Sequence, residues 1–559
     1  MTSTTRLLWA KNALLAAVCL IAVGSLAFGL LPADRKERPR SFSPGRLTRA
    51  DFGAVVQQID DQFADRWKTA GLQAAARADD LTIARRLSLG LTGTIPSLEE
   101  IRELENTPAG QRMEWWVSHL LEDRRYADFV AERLARAFVG VDDGAFLVYR
   151  RRRFVTWLSD RLFENDLRYD QLVRKLIAGE GLWTDSPQVN FLTVALDQNN
   201  KNQPDPIRLG GRTVRAFLGM RIDCLQCHDE FRLDGATGFP GPDGEEREGT
   251  QRDFHRLAAY FGQASSSLRG MREDPDREYR YKYLYEDEEE QVEPAPPYLP
   301  ELASQQKSRR AELASWVTHP QNKPFARATV NRIWAILVGR PLHEPIDNIP
   351  LHGSSQPGLE LLTDDFIAHG FDLRRLIRLI AATRVYQIDS RADFEVTPAH
   401  EAAYAVFPLT RLRPEQAAGA VIQASSLTTI DAASHIVSQL IMNGETNDFV
   451  QRYGDMGEDE FTDRGGTIPQ RLLMMNGKLV RERTHENLLQ AATQISALAP
   501  DDDAAVETAF LSVLTRLPTA EETALFAGQL KGQRKKARNA QLEDLYWVLI
   551  NSTEFCWNH

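Results

Sequence analysis

The segment Cys224-Leu225-Gln226-Cys227-His228 places two thiols three residues apart and an imidazole on the next residue. Two sulfurs at this spacing can bond the two vinyl-derived carbons of a porphyrin while the adjacent His ligates the iron, which is the pattern of c-type haem attachment. The chain holds only four cysteines, so the pattern outranks any isolated His or carboxylate as a chemical signal. Cys224 and Cys227 are therefore expected to attach haem c, with His228 as the proximal iron ligand. The opposite axial position could fall to Met220, His255 or Met271. His255 is preferred because its helix follows a glycine-rich stretch and could fold back over the haem face. The same residues admit two other readings. Cys224, Cys227 and His228 could be zinc ligands with His255 as the fourth, or the two thiols could form a redox dithiol with lowered thiol pKa. Alternatively, the chain is a helical surface scaffold or binding protein without a cofactor. Catalytic residues are unknown: no Gly-x-Ser-x-Gly elbow, phosphate-binding Walker loop or His-Glu-x-x-His zinc motif occurs.

The elements needed to position this motif read as helices. Before it, Leu209 to Arg221 has helical character; after it, Asp229 to Gly249 is too rich in glycine for a regular helix, and helical pattern resumes at Asp253 to Phe261. Helical periodicity also covers Asp51 to Trp67, Ala78 to Leu91, most of Tyr126 to Gly181, and Ser308 to Thr318. Further segments are Lys323 to Trp334, Gly358 to His369, Asp372 to Thr383, Pro414 to Ser426, Pro469 to Thr484 and His485 to Leu498. Ser97 with Glu100 and Thr519 with Glu522 each match a capping box, and each opens a unit that ends in an aromatic-rich helix, Met113 to Leu121 or Leu542 to Ile550. Strand-like alternation is scarce. The fold class expected is all-α, or strongly α-dominated, with two helical domains behind an N-terminal transmembrane helix or signal anchor.

Several boundaries follow. Residues 1–33 are expected to form a signal or transmembrane segment, in which the uncharged run Asn12 to Ala33 is long enough to cross a bilayer. Residues 34–50 form a tether, 51–270 a first helical domain carrying the motif, 271–304 a charged and Pro-rich linker, and 305–559 a second helical domain. Arg35, Lys36, Arg38 and Arg40 would favour a cytoplasmic downstream side. Covalent haem is attached outside the cytoplasmic membrane, and the motif is given the greater weight. The protein is thus expected to be exported or anchored in the inner membrane through its N-terminal segment, with its body in the periplasm or at the cell surface. A net charge of -11 argues against nucleic acid as a partner.

The chain resembles a planctomycete-type bacterial surface protein family in which paired domains of unknown function surround a cytochrome-c-like CxxCH motif. The first domain is similar in Ala84-Arg85-Arg86-Leu87-Ser88-Leu89-Gly90-Leu91-Thr92-Gly93 and in Ala216 to Asp223 leading into Cys224. The second is similar in Phe325 to Trp334, Gly339-Arg340-Pro341-Leu342, Glu344-Pro345-Ile346-Asp347, Gly370-Phe371-Asp372-Leu373 and Asn551 to Phe555. The resemblance implies a surface protein linked with polysaccharide breakdown, whose partners would be a redox protein or the surface polysaccharide machinery. It departs from the family in one respect. Members commonly continue from CxxCH into Asp-His-Pro-Phe, whereas this chain reads Asp229-Glu230-Phe231 and lacks the second His.

Overall fold

A computed structural model of the chain describes residues 50–141, 149–197, 203–229, 239–240, 246–431, 436–454, 457, 461, 466–487 and 490–559. The expected membrane segment and nearly all of the tether lie outside the described residues, as does much of the glycine-rich stretch after His228. Among the described residues no helix is long and apolar enough to cross a membrane.

The fold is helix-dominated, and among the described residues the strands occur as short antiparallel pairs. The centre is the helix Lys323–Val338, in which every residue from Pro324 to Val338 is buried. A helix covered on all sides is a core element rather than an amphipathic surface one. Its Trp334 stacks on Phe63 with ring centroids 6.1 Å apart and meets Tyr404 edge-on. Asn331 ties down the following loop through both ends of its amide: its Nδ2 donates to the His343 carbonyl at 2.9 Å, and its Oδ1 accepts from the His343 N–H at 3.0 Å. Packing thus accounts for the aromatic and the amide in the block most similar to the second family domain.

Among the described residues two apolar cores form. The first runs from Phe52 to Phe407 and draws helices from both sides of the Pro-rich tract; the second is built mainly from residues after Leu412. The helix Asp80–Thr92 serves both, giving Leu87 and Leu91 to the first core and Leu89 to the second. It also buries two adjacent cations. Arg85 donates to the Val513 carbonyl (3.0 Å) and the Thr515 hydroxyl (3.3 Å), where the helix Asp502–Leu514 ends. Arg86 donates to the backbone oxygens of His559 (2.6 Å), Ile388 (2.7 Å) and Tyr386 (3.2 Å), and lies 3.8 Å over the Phe407 ring.

Both capping boxes form. Glu100 and Ser97 bond each other's backbone N–H at 2.9 and 3.0 Å, and Thr519 and Glu522 do the same at the start of Ala520–Leu530. Two expected helices differ. Pro469 to Thr484 breaks at Gly477 into Ile468–Asn476 and Lys478–Thr484, and the helix expected from His485 starts at Ala491. The tract 271–304, expected as a linker, is packed instead. It places Met271, Tyr279, Tyr283, Val292 and Tyr298 in the first core and folds into a hairpin pairing Arg280–Tyr281 with Glu290–Gln291. Its acidic run from Glu286 to Glu289 is the exposed turn of that hairpin.

Candidate functional site

The approach to the motif begins at Asp205, whose carboxylate accepts from the N–H groups of Ile207 and Arg208 and caps the helix Pro206–Thr213. The helix widens into a π-turn over Val214–Leu218 and stops at Gly219, which takes a left-handed φ of 62°. Glycine tolerates that conformation, and any Cβ here would lie 3.0 Å from the Ala328 Cβ on the central helix. The Gly219 carbonyl accepts from the Ile349 N–H at 2.8 Å. Asp347 completes the anchorage by accepting from Arg215 Nε at 2.6 Å and Arg221 Nε at 2.8 Å. Burial would raise the Asp347 carboxyl, but the two guanidiniums outweigh it and hold it below its ordinary range. The chain therefore reaches Cys224 already fixed by residues from beyond position 340.

The motif is a single short 3-10 turn, Asp223–Gln226, closed by the Cys227 N–H donating to the Cys224 carbonyl at 3.3 Å. Leu225 points inward. Gly249 lies so close that a Cβ there would come within 2.7 Å of Leu225 Cδ1 and 3.0 Å of the Phe239 ring. Cys224 is half-buried, while Cys227 and His228 are exposed, and neither cysteine is in a disulfide. The turn thus directs its apolar residue into the protein and leaves its last two donors facing outward.

From below, the Gln226 carbonyl meets three donors: His255 Nε2 and the Tyr281 hydroxyl, each at 3.0 Å, and Gln251 Nε2 at 3.2 Å. Since His255 Nε2 must carry a proton to bond a carbonyl, its Nδ1 is the acceptor for the Tyr279 hydroxyl, 2.7 Å away. The imidazole is fully buried and lies nearly parallel to the Tyr281 ring at a centroid distance of 3.4 Å. Burial lowers its pKa, against the smaller opposing pull of the Gln226 carbonyl, so the ring is neutral at pH 7. Its helix, Gln251–Ala258, is opened by a Thr250–Asp253 capping box, and the Gln251 N–H donates to Asp229 Oδ1 at 2.6 Å.

The structure keeps Cys224, Cys227 and His228 on one surface turn and places His255 beneath it. Both of its ring nitrogens are already engaged, so a place as second iron ligand or fourth zinc ligand would require breaking one of these bonds. Met220 and Met271, the other axial candidates, are buried in the core, and Met271 pairs with Gly181 through its backbone. Among the described residues no group of three or more His, Cys, Asp and Glu side chains is arranged to hold a metal ion. Tyr279, Tyr281, Gln251, Arg215, Arg221 and Asp347 were not singled out from sequence. A signal existed for the tyrosines: Tyr279, Tyr281 and Tyr283 alternate with charged residues, the period-two pattern of a strand.

Comparison with known proteins gives two matches. Residues 58–234 match the family described as PSCyt2, protein of unknown function (DUF1549), and residues 309–530 match PSD1, protein of unknown function (DUF1553). No curated protein and no solved structure matches the chain. The motif turn falls within the first matched region and Asp347, which anchors it, within the second. The chain carries these two domains of unknown function as a pair.

Proposed function

We propose that this chain is an exported c-type haem protein with an electron-transfer role at the cell surface. Cys224 and Cys227 would hold the macrocycle through thioether bonds, and His228 would ligate the iron. The observation that carries this reading is the presentation of the motif: two cysteines outside any disulfide and an exposed imidazole sit on a turn whose backbone is held rigidly from within. The residue types fit the group, since c-type attachment uses two thiols at this spacing and an adjacent imidazole. When bound, haem would supply a one-electron iron couple. The chain's own part is to hold the turn, keep Leu225 packed inward, and leave Cys227 and His228 accessible to a partner. The counterpart would be a redox protein or the surface polysaccharide machinery, and the Asn12 to Ala33 segment would serve as export signal or anchor.

The test is to express the full chain in a host with cytochrome c maturation machinery, then record an in-gel haem stain and a pyridine haemochrome spectrum. Covalent haem lost in a Cys224→Ala, Cys227→Ala double variant is the expected result. A folded wild-type product without covalent haem refutes the reading, and metal analysis with thiol titration of that product then separates a zinc or dithiol site from a cofactor-free scaffold.

A further inference from the structure

We infer that His255 is a positioning residue for the CxxCH turn. With Tyr281 and Gln251 it fixes the Gln226 carbonyl, and thereby the relative placement at which Cys224, Cys227 and His228 are offered. A carbonyl on a surface turn is ordinarily satisfied by water. Here a buried imidazole, a phenol and an amide converge on one oxygen from two separate elements, the helix Gln251–Ala258 and the hairpin strand Arg280–Tyr281. The peptide unit between Gln226 and Cys227 is planar, so fixing its oxygen also fixes the direction of the Cys227 N–H. That N–H is bonded in turn to the Cys224 carbonyl. One rigid plane is held at both ends: Cys227 is attached to it covalently, and Cys224 is tied to it through the hydrogen bond its carbonyl accepts. The Gln226 carbonyl sets the His255 tautomer with its proton on Nε2, the Tyr279 hydroxyl donates to Nδ1, and the Tyr281 ring lies against the imidazole face.

The haem arm of the test rests on the function proposed above; the thiol arm does not. In full-length protein without haem, the alkylation rate of each motif cysteine is read by peptide mass spectrometry for wild type, His255→Ala, His255→Gln and Tyr281→Phe. Loss of one hydrogen bond of ordinary strength loosens the turn, and His255→Ala is expected to speed alkylation of half-buried Cys224 by about fivefold. His255→Gln, whose amide can again donate to the carbonyl, is expected to restore most of the protection. In a maturation host, His255→Ala should lower haem yield while the loaded fraction keeps the wild-type absorption spectrum. Unchanged alkylation rates in a folded His255→Ala variant overturn the inference. A spin-state change in loaded His255→Ala also overturns it, because that would make His255 an iron ligand. If His255→Ala does not fold, Tyr281→Phe carries the test: it keeps the ring, removes one donor, and an unaltered rate overturns the proposal. If wild type takes up no haem, the function reading fails while the alkylation rates still decide the role of His255.

Discussion

Replacing Arg86 with Met should destabilise the protein by about 3–5 kcal/mol, more than nearly any surface change. The guanidinium makes three bonds to backbone oxygens at 2.6, 2.7 and 3.2 Å and sits over Phe407. Charge-assisted bonds of this kind contribute roughly 1.5–3 kcal/mol each, and a desolvated cation–π contact about 2. Against them stands burial, which pulls the Arg86 pKa down to about 10. Met at the same position would fill much of the volume but leave the backbone oxygens of Tyr386, Ile388 and His559 without this donor. Arg86→Lys keeps the charge but offers its donors from a single nitrogen where Arg86 uses Nε and Nη1, and should lose about half as much. Urea unfolding followed by tryptophan fluorescence measures both variants. Hydrogen exchange should also show release of the pair Thr410–Arg411 with Trp557–Asn558, which lies next to His559. An Arg86→Met midpoint indistinguishable from wild type, with that pair still protected, would refute the argument.

Two further changes separate charge effects by pH. Burial raises the Asp60 carboxyl to about 6 although it accepts from the Arg384 N–H at 2.7 Å. A raised folded pKa means that its contribution is full below the ordinary carboxylate value and lost as pH climbs through about 6. Asp60→Asn should therefore raise stability by about 1 kcal/mol at pH 7.5, after discounting for solvent access, and change little near pH 4; an equal gain at both pH values would contradict it. Asp347 has the opposite sign, its depressed carboxylate stabilising the fold above the ordinary range and ceasing to do so as pH falls through its folded value. Asp347→Asn should cost about 1–2 kcal/mol at pH 7, with the variant and wild-type urea midpoints converging under acid; a constant difference across that range would count against the Arg215 and Arg221 pairing.

What could be read from the sequence was local. The motif needs five consecutive residues, and the capping boxes at Ser97 and Thr519 need four, so their chemistry is written without reference to the rest of the fold. The clamp on Gln226 comes from 25, 29 and 55 residues away, and no spacing rule links those positions. His255 is legible as an imidazole after the motif, but its orientation depends on Tyr279 and Tyr281, which periodicity alone does not place. In the tract 271–304 the density of charge concealed an alternation of tyrosines that pack inward. Asp347 was visible only as part of a family-like block. Its partners lie 126 and 132 residues earlier, and the pairing exists only because the central helix brings the two regions together.

The two buried arginines of Asp80–Thr92 also set a timetable. Arg85 bonds Phe555 across 470 residues and Arg86 bonds His559 across 473. At about 5–20 residues per second of synthesis, an interval of roughly half a minute to a minute and a half separates these cations from their acceptors. For that time an early helix carries two charges that its own neighbourhood does not satisfy, and its native burial must wait. Full pairing of Arg85 and Arg86 is therefore completed only once Phe555 and His559 are present.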